Sequence, residues 1–130
     1  MIGVGLGGQP AVYPAYGLTA ERRAERFTEG LEVMKRLWTE PRVTFEGQFF
    51  KLKNLPQEPK PVQKPHPPLW VACSNRNTIH LAAQLGLGAL TFAFIDPAEA
   101  RHWVEDYYET FKRECVPIGH AVNPNVAMVT

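Results

Sequence analysis

Cysteine is scarce in this chain. Cys73 and Cys115 are the only two among 130 residues, too few for a disulfide framework and wrongly spaced for a zinc site. A reducing cytoplasm is the compartment this implies. The four histidines (His66, His80, His102 and His120) are scattered and fit no metal-ligand motif, so no metal is expected. An excess of one charge is also missing. Fourteen basic against thirteen acidic residues leave a formal +1, which argues against nucleic-acid binding driven by bulk electrostatics. No apolar run reaches the roughly 20 residues of a membrane span, and no basic start leads into a signal-peptide core. Internal repeats and low-complexity tracts are absent too.

What the chain does have is a 45% hydrophobic composition, enough for the core of one domain, and an alternation of short apolar runs with helical patterns. Ile2–Leu6 reads as a strand running into glycines. Gly7 to Gly17 reads as loop, because Pro10 and Pro14 oppose helix. Thr19 offers a cap for a helix reaching about Trp38. Phe27, Leu31, Met34 and Trp38 recur at steps of four, three and four and so share a face. Arg22, Arg23, Glu25, Arg26, Glu29 and Glu32 are expected on the solvated side. Pro41 ends that helix. Residues 42–52 read as two short strands about the turn Glu46-Gly47-Gln48, and Pro56 to Pro68, with six prolines, as an extended segment. Leu69–Cys73 is an unbroken apolar run, as expected of a parallel strand covered on both faces. Its helix ends near Gly86. Ala89–Ile95 is a further strand. Asp96-Pro97-Ala98-Glu99 carries an acidic cap, a first-turn proline and a glutamate three residues on. The helix it opens has Val104, Tyr107, Tyr108 and Phe111 on its apolar side. Asn125–Val129 is the last strand.

Strands alternating with helices imply a parallel sheet. Four such strands with three helices make about half of a (β/α)₈ barrel, whose usual length is about 250 residues. The expected fold class is therefore α/β: a partial TIM (β/α)₈ barrel, residues 1–130 forming one partial domain with a hairpin and proline-rich insertion at 42–68. Two unpaired sheet edges are unusual in a finished domain, so the chain is expected to be part of something larger.

The segment after Cys73 carries the chemistry. Ser74, Asn75 and Thr78 stand where a buried strand hands over to a helix. There, unpaired backbone N–H groups and the helix dipole create a place for an anion. The same residue types also serve as plain helix caps, and both readings remain open from the residues alone. Gly3-Val4-Gly5-Leu6-Gly7-Gly8 fits the letters G-x-G-x-x-G, but Pro10 and Pro14 follow where a dinucleotide site needs a helix. A tight turn admitting a ligand to the backbone is the better use of these glycines. Cys73 beside the cluster is read as packing rather than as a nucleophile. His80 is read as a surface or packing histidine. Trp70, Phe92 and Phe94 are expected to fill barrel layers, and Trp103, Tyr107 and Tyr108 to pack helix on barrel.

Four blocks of residues resemble the bacterial-luciferase-like monooxygenase family. They are Arg26-Phe27-Thr28-Glu29-Gly30-Leu31 to Leu37-Trp38-Thr39-Glu40, Val43-Thr44-Phe45-Glu46-Gly47-Gln48-Phe49, Pro59-Lys60-Pro61-Val62-Gln63-Lys64-Pro65-His66-Pro67-Pro68-Leu69, and Ala82-Ala83-Gln84-Leu85-Gly86. The resemblance implies a (β/α)₈ barrel of which this chain covers roughly the fourth to the seventh strand. It implies a flavin-dependent monooxygenase using reduced FMN and O2 on a small organic substrate, fed by a flavin reductase and forming a homodimer. In a deazaflavin branch of the family the reaction is instead a hydride transfer. Carried onto this sequence, the family's phosphate site falls on Ser74, Asn75 and Thr78, with Gly5, Gly7 and Gly8 as its other wall. Many members have an arginine where Leu6 stands, a charge-assisted contact this chain lacks. The resemblance supplies no catalytic residue here, since the polar strand-end residues of the early barrel lie outside this sequence. A non-catalytic barrel remnant with a structural or dimerising role is the alternative of a different class.

Overall fold

The computed structural model describes residues 1–92 and 96–129. In chain order its elements are β1 (Ile2–Val4), α1 (Val12–Ala15), α2 (Arg23–Thr39), β2 (Val43–Glu46) and β3 (Lys51–Leu55). There follow β4 (Leu69–Cys73), α3 (Arg76–Gln84), β5 (Gly88–Phe92), α4 (Pro97–Glu114) and β6 (Val126–Val129). They belong to two compact units, one of Met1–Gly5 with Pro61–Thr130 and the other of Leu6–Lys60.

In the first unit β1, β4, β5 and β6 lie side by side in that order, every neighbouring pair parallel. Sequential parallel strands joined through helices make the arc of a (β/α) barrel, and the arc is not closed. Registered residues in a parallel sheet share a face. Val71 pairs with Val4 and Ala89, and Cys73 with Thr91. Together with Leu69, these β4 and β5 side chains are buried at 1% exposure or less, and Ile79, Ala82 and Ala83 of α3 are as fully buried. The other face carries Trp70, half-buried, and Ala72, exposed. The apolar run of β4 thus has one covered face, not two. The expected barrel-filling role of Phe94 lies outside the described residues, as do Ile95 and the side chain of Phe92.

The end of α3 is as its glycine foretold. Gly86 takes φ +70°, while Leu87 N–H bonds back to Ala82 O at 2.9 Å and Gly86 N–H to Ala83 O. This pair of bonds about a left-handed residue satisfies carbonyls that the helix leaves free. Asp96 caps α4 through Ala98 N–H at 2.8 Å, with Pro97 at the first position. Glu99 does something else than expected: its carboxylate accepts the Trp103 indole N–H. On α4 the buried residues are Trp103, Tyr107 and Thr110, while Tyr108 is 38% exposed.

In the second unit Pro14 does not exclude helix. It sits in the first turn of the four-residue α1, where a missing N–H costs no intrahelical bond. Nor does Thr19 cap α2, which begins at Arg23 after Arg22 without a side-chain cap. Of the residues expected on a solvated side, Arg22, Arg23 and Glu25 are exposed, but Arg22, Arg26 and Glu29 also meet the β2–β3 hairpin. Arg22, Arg26, Glu29, Val33 and Arg36 recur at steps of four, three, four and three, a second stripe on the same helix. Val33 within it is buried, and the three arginines lie over the rings of Phe49, Phe50 and Phe45. Glu29 accepts the backbone N–H groups of Gln48, Phe49 and Phe50 at 2.8–3.0 Å. One carboxylate thereby satisfies the loop of the hairpin.

Candidate functional site

The candidate site begins where β4 ends. Ser74 and Asn75 are exposed and Thr78 is buried. Asn75 has an extended backbone, φ −157° and ψ 166°, and is the N-cap of α3. Its Oδ1 accepts from Thr78 N–H at 3.1 Å and from Thr78 Oγ1 at 3.2 Å. The cap reading is therefore realised in the structure. It leaves the Asn75 Nδ2 donor, the Ser74 hydroxyl and the N–H groups of Arg76 and Asn77, which precede the first residue an intrahelical bond can serve. All of these stand at the positive end of α3, and at the C-terminal edge of a parallel sheet, where (β/α) barrels carry their sites. A site of this composition suits a phosphate: it offers donors without a buried counter-charge.

Gly5 follows the last residue of β1, one step beyond the Val4–Val71 register pair. A Cβ there would meet nothing within 4 Å. Gly7 and Gly8 fall in the other unit. Gly7 adopts φ +82°, and its carbonyl accepts from Tyr13 Oη at 2.7 Å, so Tyr13 holds that turn.

Cys73 next to the cluster is fully buried, and burial pushes its thiol up to about 12. So little thiolate exists at neutral pH that a nucleophilic role is unsupported. Its Sγ instead points at the Val71 carbonyl.

A cluster that the sequence reading did not find lies beside α3. Arg76 donates from Nε to Oδ2 of Asp106 on α4 at 2.9 Å, and from its terminal nitrogen to the same oxygen. His80 Nε2 approaches that oxygen to 3.8 Å. The Arg76 hydrogen bond, chiefly, holds the Asp106 carboxyl below its ordinary value, with the nearby His80 adding to it. Further along, Gln84 donates to Glu114 at 2.8 Å. Arg76, His80 and Gln84 stand four apart, as do Asp106, Thr110 and Glu114. The seam between the two helices is thus written as two matching polar stripes.

At the opposite, N-terminal ends of the strands lies a polar group that is buried. Tyr107 Oη reaches the carbonyls of Leu87 at 2.7 Å and Asn123 at 3.2 Å. Asn123 donates to Leu69 O and accepts from Asn125 Nδ2. His66, 2% exposed, receives His120 N–H on Nε2 at 2.9 Å. Its proton therefore sits on Nδ1, which faces Pro67 O. These groups fasten strands and loops at the stability end of the sheet. Among the described residues no set of three His, Cys, Asp or Glu side chains gathers as a metal site, and no helix is long and apolar enough to cross a membrane.

The sequence profile of the luciferase-like monooxygenases matches residues 1–128. The chain belongs to this family. It is similar to an FMNH2-dependent dimethylsulfone monooxygenase of Pseudomonas putida, 29% identical over 68 residues, covering 52% of this chain and 19% of that protein. It is also similar to an F420-dependent glucose-6-phosphate dehydrogenase of Kineococcus radiotolerans, 33% identical over 91 residues, covering 68% of this chain and 26% of the relative. Among solved structures, the monooxygenase RslO1 from Streptomyces bottropensis superposes with a TM-score of 0.73 at 26% identity, over 98% of this chain and 38% of that one. The chain spans less than two fifths of the length of each of these proteins. Flavin-dependent monooxygenases and F420-dependent dehydrogenases are both among its relatives, so a flavin-type cofactor is common to them while its kind differs.

Proposed function

We propose that this chain forms the cofactor-phosphate end of a flavin-dependent oxidoreductase, a monooxygenase that uses reduced FMN and O2 on a small organic substrate. The observation that carries the reading is the exposed Ser74–Asn75 turn leading into α3 at the C-terminal end of β4, in a chain of this family. Ser74 Oγ, Asn75 Nδ2 and the first N–H groups of α3 would hold the phosphate, Gly5 would let the cofactor approach the end of β1, and Thr78 would brace Asn75. Bound reduced flavin supplies the electrons for oxygen chemistry. The residues here bind and orient it, and none is assigned as acid, base or nucleophile. A reductase delivering reduced FMN, pairing of two copies and residence in the cytoplasm complete the proposal.

The similarity to an F420-dependent dehydrogenase favours a second reading, in which the same turn holds the phosphate of a deazaflavin and the reaction is hydride transfer without O2. Titration of FMN, riboflavin and F420 into the chain separates the two. FMN bound more tightly than riboflavin, with loss of that preference in Asn75→Ala, supports the first reading. Preference for F420 over FMN supports the second, and equal binding of FMN and riboflavin removes the phosphate site altogether.

A further inference from the structure

We propose that two copies of this chain close one eight-stranded barrel, the outer edge of β6 in each copy pairing with the outer edge of β1 in the other. This gives a surface to the pairing of two copies proposed above, and it rests on that pairing, not on the kind of cofactor.

The parallel sheet runs β1-β4-β5-β6, so β1 and β6 each have a neighbouring strand on one side alone. A (β/α)₈ barrel needs eight strands, all parallel. A second copy turned by half a revolution about the axis of the arc brings four more. It sets β6 beside the partner's β1, and β1 beside the partner's β6, each pair parallel, and the contacts close after two copies. The backbone polarity fits. Ile2 N–H goes to Pro68 O, and Asn125 O receives Ala89 N–H. The N–H groups of Gly3 and Val126, one residue on, therefore point to the outer edges. Exposed edges are normally blunted by charge or proline, and Ile2–Val4 and Val126–Val129 contain neither.

The sheet face turned from α3 fits the same closure. A barrel interior fills in layers, each taking its side chains from alternate strands. Trp70 of β4 stands between Gly3 of β1 and Gly88 of β5. Two positions on, Leu90 of β5 stands between Ala72 of β4 and Ala127 of β6. Bulk thus comes from β4 in one layer and from β5 in the next, and four strands supply half of each layer. The same strands of the partner supply the other half. None of these residues is charged, so the two faces meet without burying a charge. In a single copy Ala72 is exposed, and Trp70, Leu90 and Ala127 are half-buried. Closure also gathers the Ser74–Asn75 turns of both copies around one rim, so each site gains the wall that an open arc lacks.

Light scattering of the 130-residue chain over a concentration series tests this. The expected result is an equilibrium between one copy and two, with nothing larger. Ala72→Arg adds a charge that a single copy holds in water and a closed barrel buries. It should raise the dimer dissociation constant at least about a hundredfold, with helix content by circular dichroism retained. A second readout needs no substitution: amide exchange of Gly3 and Val126 should slow as the wild-type chain is concentrated. A chain that stays single at every concentration overturns the inference and the pairing together. A dimer that survives Ala72→Arg, or that leaves both amides unprotected, overturns the inference while pairing through another face stands. Growth beyond two copies also overturns it, since closure leaves no edge to extend.

Discussion

Nδ2 of Asn123 donates to the Leu69 carbonyl over 3.0 Å, linking the loop before β6 to the first residue of β4 across the start of β5. The bond is buried, with Asn123 5% exposed, and its amide oxygen accepts from Asn125 Nδ2. Replacing Asn123 with Ala leaves the Leu69 carbonyl short of a bond in a dry place, while the exposed Asn125 amide can turn to water. A loss of about 2–3 kcal/mol is expected, read as a fall in the urea midpoint without a change of slope. Asn123→Asp should be nearly as costly, because it lacks the donor.

Gly88 lies where this amide and the Trp70 indole converge. A Cβ on Gly88 would fall within 2.6 Å of Trp70 Cδ2 and closer still to Asn123 Nδ2, far inside van der Waals contact. Gly88→Ala should cost about 3 kcal/mol. The same unfolding assay should show part of that recovered when Trp70→Leu is added, because the two sites share the space.

Glu29 links acidity to the hairpin. Burial raises its pKa, but the N–H groups of Phe49, Phe50 and Gln48, with the charge of Arg22, outweigh that and leave it lowered. A carboxyl lowered on folding stabilises above its unfolded value, about 4.3, and loses that contribution as pH falls through the lower folded value. Amide exchange of Gln48, Phe49 and Phe50, corrected for intrinsic rate, should therefore accelerate in that acid window. In Glu29→Gln the acid dependence should vanish, with weaker protection throughout.

The two thiols should differ in reactivity. Burial pushes Cys73 up to about 12 and shields it completely, whereas Cys115 is partly exposed and raised less. Brief alkylation at pH 8 followed by mass mapping should label Cys115 alone. Cys73 should react only after denaturant is added.

Asn75 serves two purposes that substitution can separate. Asp caps a helix about as well as Asn, while Ala costs about 1 kcal/mol. Asn75→Asp should therefore keep thermal stability within about 0.5 kcal/mol of the parent. It should nonetheless bind FMN more weakly than Asn75→Ala, since it sets a negative charge where the phosphate would lie. The reverse order of affinities would count against an anion site at this turn.

Much of the fold was legible in the residues because each signal is local. Leu69–Cys73, Gly86 and the Asp96-Pro97 start encode a strand, a left-handed stop and a cap within a few positions. Pro14 and Thr19 misled for the same reason. A proline is harmless in a first turn, and a threonine caps only a helix that starts beside it. The solvated side read for α2 held only in part, since nothing in that segment shows that a hairpin some 20 residues later meets Arg22, Arg26 and Glu29.

By itself, then, the sequence determined the alternation of strands and helices, the family, and the Ser74–Thr78 turn as a place with spare donors. The elements and the turn follow from periodicity, capping chemistry and short-range backbone bonding, and the family from the resemblance of whole residue blocks. Only the tertiary structure decided that Asn75 is engaged with Thr78, how deeply Cys73 is buried, that Asp106 holds Arg76, and that Asn123 and Tyr107 fasten the base of the sheet. Those facts depend on residues up to 54 positions apart meeting in one place, and the depth of burial there sets both their hydrogen bonds and their charge.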